Sequence, residues 1–240
     1  MSATNPVGFF GKLPAHGDFI YRGLPTNFIN IWDEWLQGFV KCSQEQLNES
    51  WLDIYLTSPI WRFALSEGVV DQYGWVGIVL PSVDRVGRYF PFSIAARVSP
   101  EQNPLDLLSQ VAWFESIEAL ALRALDGQIA IDDLINDVNA ISLEHNLAYH
   151  CGPSTSYQKS TVISMGFEAS SPESVFAPLF HSLLKENLAS YSVWTTQGSE
   201  LVEPCLFYCA GLPSLQNLAA MLDGQWSARG WNQPCRLVAV

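Results

Sequence analysis

Residues 61–98, WRFALSEGVVDQYGWVGIVLPSVDRVGRYFPFSIAARV, decide the fold. They contain three apolar runs of strand length, 61–65, 75–80 and 92–98, separated by segments rich in Gly, Pro, Asp and Ser. The middle run, WVGIVL, is apolar at every position, so it buries both faces and belongs at the centre of a sheet. Upstream, Phe28, Ile31, Trp32, Trp35, Leu36, Phe39 and Val40 recur at steps of three and four, one wide face of a helix. Ser43 with Gln46 has the form of a capping box, which predicts a second helix through Leu47, Trp51, Ile54 and Tyr55, stopped at Ser58-Pro59. The N-terminal run 7–10 reads as a strand and GKLPAHGD, 11–18, as a loop.

Downstream, Asn103-Pro104 predicts the start of the longest helix, reaching about residue 125, because Pro suits a first helical turn. An acidic helix is expected over 131–147, a strand over 161–165, and a helix from Ser170-Ser171-Pro172-Glu173 to about residue 188. Strands over 191–195 and 206–210 and a short helix over 215–222 complete the pattern. Strands and helices interleave throughout. The expected fold class is therefore α/β, a central mixed β-sheet flanked by helices on both sides. One domain spanning 1–240 is the simplest organisation, with a subdivision near 126–150 as the alternative.

Composition narrows the function. Of 240 residues, 48% are hydrophobic and nine are Trp, enough for a core that needs neither disulfide nor metal. Only 15% are charged, and so low a share leaves apolar surface for a partner to cover. The net charge of −12 is concentrated in 101–150, where nine acids face Arg123 alone. Such a field repels phosphate backbones and anionic lipid heads, which argues against nucleic acid and membrane partners and makes a basic protein patch its natural counterpart. The start, MSATNPVGFFGK, has no signal-peptide pattern, and no run of about 18 apolar residues is present to insert in a membrane. Five scattered Cys form no disulfide framework and suit a reducing cytoplasm.

Enzyme signatures are incomplete. Gly8-Phe9-Phe10-Gly11-Lys12 ends like a phosphate loop but is too short between its glycines and is followed by Leu13. Ser156-x-x-Lys159 lacks the companion elements of a serine β-lactamase site. His145, His150 and Cys151 have no zinc-site spacing, and Cys205 and Cys209 fall on an apolar strand. No cofactor or metal is expected.

What remains is charge set in apolar, tightly turned segments. One holds Lys12, His16 and Asp18; the other joins Arg62 to Asp84, Arg85 and Arg88. Charges among aromatic neighbours and glycine turns need partners, and Asp18 or Asp84 can take Arg62, Arg85 or Arg88 in forked pairs. Two readings follow: ion pairs that fix loop geometry, the commoner case, or a recognition patch for a partner carboxylate or phosphate.

The same residues carry a resemblance. GFFGKLPAHGDF (8–19), Trp32-Asp33-x-Trp35-Leu36, Pro59-Ile60-Trp61-Arg62-Phe63 and PSVDRVGRYFP (81–91) resemble the N-terminal signature of the TagF (ImpM) family of bacterial type VI secretion. Ser192-Val193-Trp194-Thr195-Thr196-Gln197-Gly198 resembles a later signature, which brings Trp194 among the candidate site residues. The departures are His16, where the pattern has Arg, and Thr195, where it has Trp.

The resemblance implies a cytoplasmic, post-translational negative regulator of secretion that binds a forkhead-associated scaffold protein and catalyses nothing. Some relatives are fused to a PP2C-type phosphatase domain, which this sequence does not contain. The alternatives are a structural subunit of the secretion apparatus, or a hydrolase using His16 and Asp18 as base and orienting carboxylate.

Overall fold

The computed structural model describes residues 7–99, 102–143 and 175–237. The three apolar runs become adjacent strands, β3 (Trp61–Leu65), β4 (Gly74–Leu80) and β5 (Phe92–Val98). With β1 (Val7–Gly11), β2 (Ile20–Arg22), β6 (Tyr191–Thr196) and β7 (Cys205–Ala210), they form one sheet in the order β2-β1-β5-β4-β3-β6-β7. WVGIVL lies in its middle strand, as its unbroken apolarity requires. The central sheet with helices on both faces is present, but its strands are antiparallel at every pairing rather than mixed in direction. β3, β4 and β5 follow one another without a helical crossover, and a chain that returns directly meets its neighbour antiparallel.

Alternation along the strands divides the interior into two cores. Trp61, Phe63, Leu65, Trp75, Val79 and Trp194 face α1 (Thr26–Leu47), α2 (Trp51–Leu56) and α7 (Ala220–Asp223). Ala64, Val76, Ile78, Ile94, Ala96 and Val193 face α3 (Pro104–Leu108), α4 (Val111–Leu125), α5 (Ile131–Ala140) and α6 (Phe176–Asn187). The first core is aromatic. Trp32 packs on Trp35, Phe63 and Trp194 with ring centroids 5.0, 4.8 and 6.2 Å away. Its indole N–H groups find buried acceptors: Trp32 donates to Ser93 Oγ, Trp194 to Ser192 Oγ and Trp61 to the Met221 carbonyl. Gly77 makes this packing possible, because a β-carbon there would sit 2.8 Å from the Phe63 ring and 2.2 Å from the Ile94 carbonyl.

Several boundaries differ from expectation. Ser43 opens no helix: α1 runs unbroken through it, and its hydroxyl donates to the Val40 carbonyl while accepting from Trp51 Nε1. The break falls instead at Asn48, whose φ is 49°. Asn103 does cap, its side chain accepting from Leu105 N, but the expected long helix divides into α3 and α4 at Ser109-Gln110. The longest described helix is therefore α1, with 22 residues. The segment 215–222 is a 3₁₀ turn, Leu215–Asn217, followed by α7. β2, three residues with two exposed, carries too little pattern to be read from sequence. The expected strand over 161–165, the helix start at 170–173 and residues His145, His150, Cys151, Ser156 and Lys159 lie outside the described residues.

Candidate functional site

The segments 12–19 and 82–90 meet at one end of β1 and β5, around one carboxylate. Gly11 ends β1 with φ at 140°, and a β-carbon there would lie 2.2 Å from the Pro91 carbonyl, so only glycine lets the two segments approach this closely. A bridge between Val83 and Tyr89 closes the 84–88 turn, with Gly87 at φ 86°. Inside it the Asp84 side chain is wholly buried. It accepts from Lys12 Nζ at 2.9 Å, Arg88 Nε at 2.6 Å, Val86 N at 3.0 Å and Arg88 N at 2.9 Å. Burial pushes this carboxyl up, but the four donors outweigh burial and hold it well below the usual carboxylate range. Lys12 is buried too. Its carbonyl accepts from Ser82 Oγ and its ammonium lies 4.8 Å from the Phe19 ring centroid. Lys12, Asp84 and Arg88 thus tie the two segments together.

Arg85 and His16 are placed by this frame rather than built into it. Arg85 N donates to the His16 carbonyl at 2.9 Å, and the Arg85 side chain passes over Gly17. Arg88 reaches the same residue, its Nη2 donating to the Gly17 carbonyl. Asp18 accepts from Phe19 N through Oδ1, and among the described residues no bond joins it to His16.

Arg62 and Trp194 lie elsewhere. Arg62 points to the opposite core and forms a forked pair with Glu118 of α4, Nε to Oε1 at 2.6 Å and Nη2 to Oε2 at 2.9 Å, above the Phe114 ring. Trp194 is fully buried in the aromatic core. In the sequence Glu118 is one of the nine acids of 101–150 and nothing more. Its one local signal is a place beside the apolar stripe of Phe114, Ile117 and Ala121. Five further acids of that region, Glu115, Asp126, Asp132, Asp133 and Asp137, are exposed on and between α4 and α5.

A second group of polar side chains lies under α6. His181 Nδ1 and Tyr191 Oη are 2.5 Å apart, and Lys185 pairs with Glu67. Asp106 Oδ2 is buried without a hydrogen-bond partner, and burial pushes this carboxyl up to about 6. Burial likewise lowers His181. No group of His, Cys, Asp and Glu able to hold a metal occurs among the described residues. The hollow lined by Trp35, Tyr55, Pro59, Trp61 and Met221 has a volume of about 20 Å³, room for roughly a water molecule. No described helix is long and apolar enough to cross a membrane.

Comparison with known proteins assigns this arrangement to a class: proteins associated with the bacterial type VI secretion system. The model of the TagF N-terminal domain, type VI secretion system-associated, matches residues 8–141, a span that holds both segments around Asp84. The chain is also similar to the crystal structure of PA0076 from Pseudomonas aeruginosa PAO1. That match has 32% identity over 98% of this chain and 100% of the other, with a TM-score of 0.79. No curated protein matches. The chain belongs to the TagF family.

Proposed function

We propose that this chain is a post-translational negative regulator of a type VI secretion system, acting by binding a forkhead-associated scaffold component in the cytoplasm, without catalysis of its own. The observation that carries the reading is the family match across 8–141, which spans the Asp84 frame. The frame suits a binding role: its buried charges hold two loops in a fixed shape and leave side chains on the rim. A preformed rim loses little conformational freedom on association.

The test is deletion of the gene in its own bacterium. Secreted substrate should rise at least several-fold while the transcripts and amounts of secretion-system proteins stay constant, and the purified chain should retain the scaffold from a lysate. A parallel rise in transcripts would make this a transcriptional effect and sink the reading.

A further inference from the structure

Lys12, Arg85 and Arg88 against Asp84 and the exposed Asp18 leave the rim with one net positive charge. Lys12 and Arg88 share the one carboxylate, and Arg85 makes no ion pair among the described residues. Both guanidinium groups come to one glycine: Arg88 Nη2 bonds the Gly17 carbonyl, and Arg85 Nη2 is 3.5 Å from where a β-carbon on Gly17 would be. Two cations that converge on one residue both attract an anion placed beside it. The excess is out of character for a chain with 24 acids and 12 bases. The Arg88 side chain remains 57% exposed despite its bond to Asp84, so its outer face is open to a ligand.

Apolar groups flank these cations. Val86 is 65% exposed and Phe19 39%. Phe19 is fixed from behind, stacked on Phe10 at 5.7 Å and edge-on to Phe90 at 4.8 Å, with the Lys12 ammonium near its ring. A ring already held in place gives up little freedom on binding, and fixed aromatics beside arginine are the usual composition of an interface hot spot. β2, with two of its three residues exposed, is paired among the described residues with β1 alone; it follows directly from Phe19 and extends the surface along the sheet edge.

We propose that Arg85, Arg88, Phe19 and Val86 form a docking surface for an acidic segment of a protein partner. The guanidinium forks take its carboxylates, and Phe19 and Val86 take the apolar residues between them. Charge complementarity selects this occupant. The acidic remainder of the chain disfavours polyanionic nucleic acid and lipid, whose charge extends well beyond a rim this small. The proposal rests on the reading that the chain works by binding a protein.

The test uses the full chain and two ligands: the purified forkhead-associated scaffold, and a peptide of roughly ten residues alternating Glu and Leu, with its Lys-for-Glu counterpart as control. Arg85→Glu and Val86→Asp should each weaken binding of both ligands by about tenfold or more. Lys41→Glu, an exposed cation on α1, should change it less than about twofold. Arg85→Glu should keep its melting temperature within about 2 °C, since no described side chain depends on it. Scaffold binding that is unchanged in both rim variants overturns the surface and leaves the regulatory reading standing. Peptide binding that depends on Arg85, without any scaffold binding, keeps the surface and removes the scaffold as partner. No acidic-peptide binding, or equal binding of the Lys peptide or of anionic vesicles, overturns the proposal.

Discussion

Replacing Glu118 with alanine removes both hydrogen bonds of the Arg62 guanidinium, the bonds of 2.6 and 2.9 Å that neutralise it inside the second core. Arg62 is 6% exposed and sits on a central strand, so it cannot swing out to water without leaving its place between β4 and β6. Stranding one partner of a buried pair costs about 3–5 kcal/mol, mostly the desolvation of the charge left behind. The Glu118 side chain keeps 18% of its surface in solvent, which lets water reach the vacated site and favours the lower end of that range. For a chain of this size about 3 kcal/mol lowers the melting temperature by roughly 6–12 °C. Thermal unfolding followed by circular dichroism reads the shift directly. Arg62→Met combined with Glu118→Leu should recover most of the loss, because apolar groups of similar volume need no counter-charge. A Glu118→Ala variant melting within about 1 °C of the parent would refute the reasoning, as would a double variant whose loss equals the sum of the single losses.

Asp84→Ala should lower the melting temperature by about 5 °C or more, since Lys12 loses its carboxylate in a buried site. Combined with Arg88→Ala it should lose less than the two single changes added together, and a thermal double-mutant cycle measures that. The folded-state carboxyl of Asp84 is depressed, so its contribution is present above the unfolded carboxylate value and is lost only as pH falls through the folded one. The gap in melting temperature between the parent and Asp84→Asn should accordingly be full at neutral pH and close only in strong acid. Asp106 has the opposite sign. Its folded value, about 6, lies above the ordinary 3.8, so whatever it contributes is present in acid and lost as pH rises through that window. Asp106→Asn should match the parent near pH 3 and be the more stable near pH 7, by about 1 kcal/mol once solvent screening of this partly exposed side chain is allowed for. Equal pH profiles for the two would remove Asp106 from the account.

The strands were legible because their information is local. The apolar runs at 61–65, 75–80 and 92–98 have strand length and punctuated ends, and WVGIVL, apolar on both faces, could only be central. The wide aromatic face of α1 was legible for the same reason, as were the segments 12–19 and 82–90 as places where charge needed a partner. Which charges would meet was not. Lys12 and Asp84 are 72 positions apart and Arg62 and Glu118 are 56 apart, and nothing local distinguishes Asp84 from Glu118 as the partner of Arg62. The choice follows from the pleat: Arg62 alternates with Trp61 and Phe63, so it must point away from the aromatic core and toward α4. Ser43 failed as a helix start because a cap is a local signal that a distant donor can override, here the Trp51 indole within a buried contact. Local pattern suffices for most of the elements and for the residues that need partners, but not for β2 or for the division between α3 and α4. Strand order and the side of the sheet that each residue faces settle which charges are consumed inside and leave Arg85 on the rim.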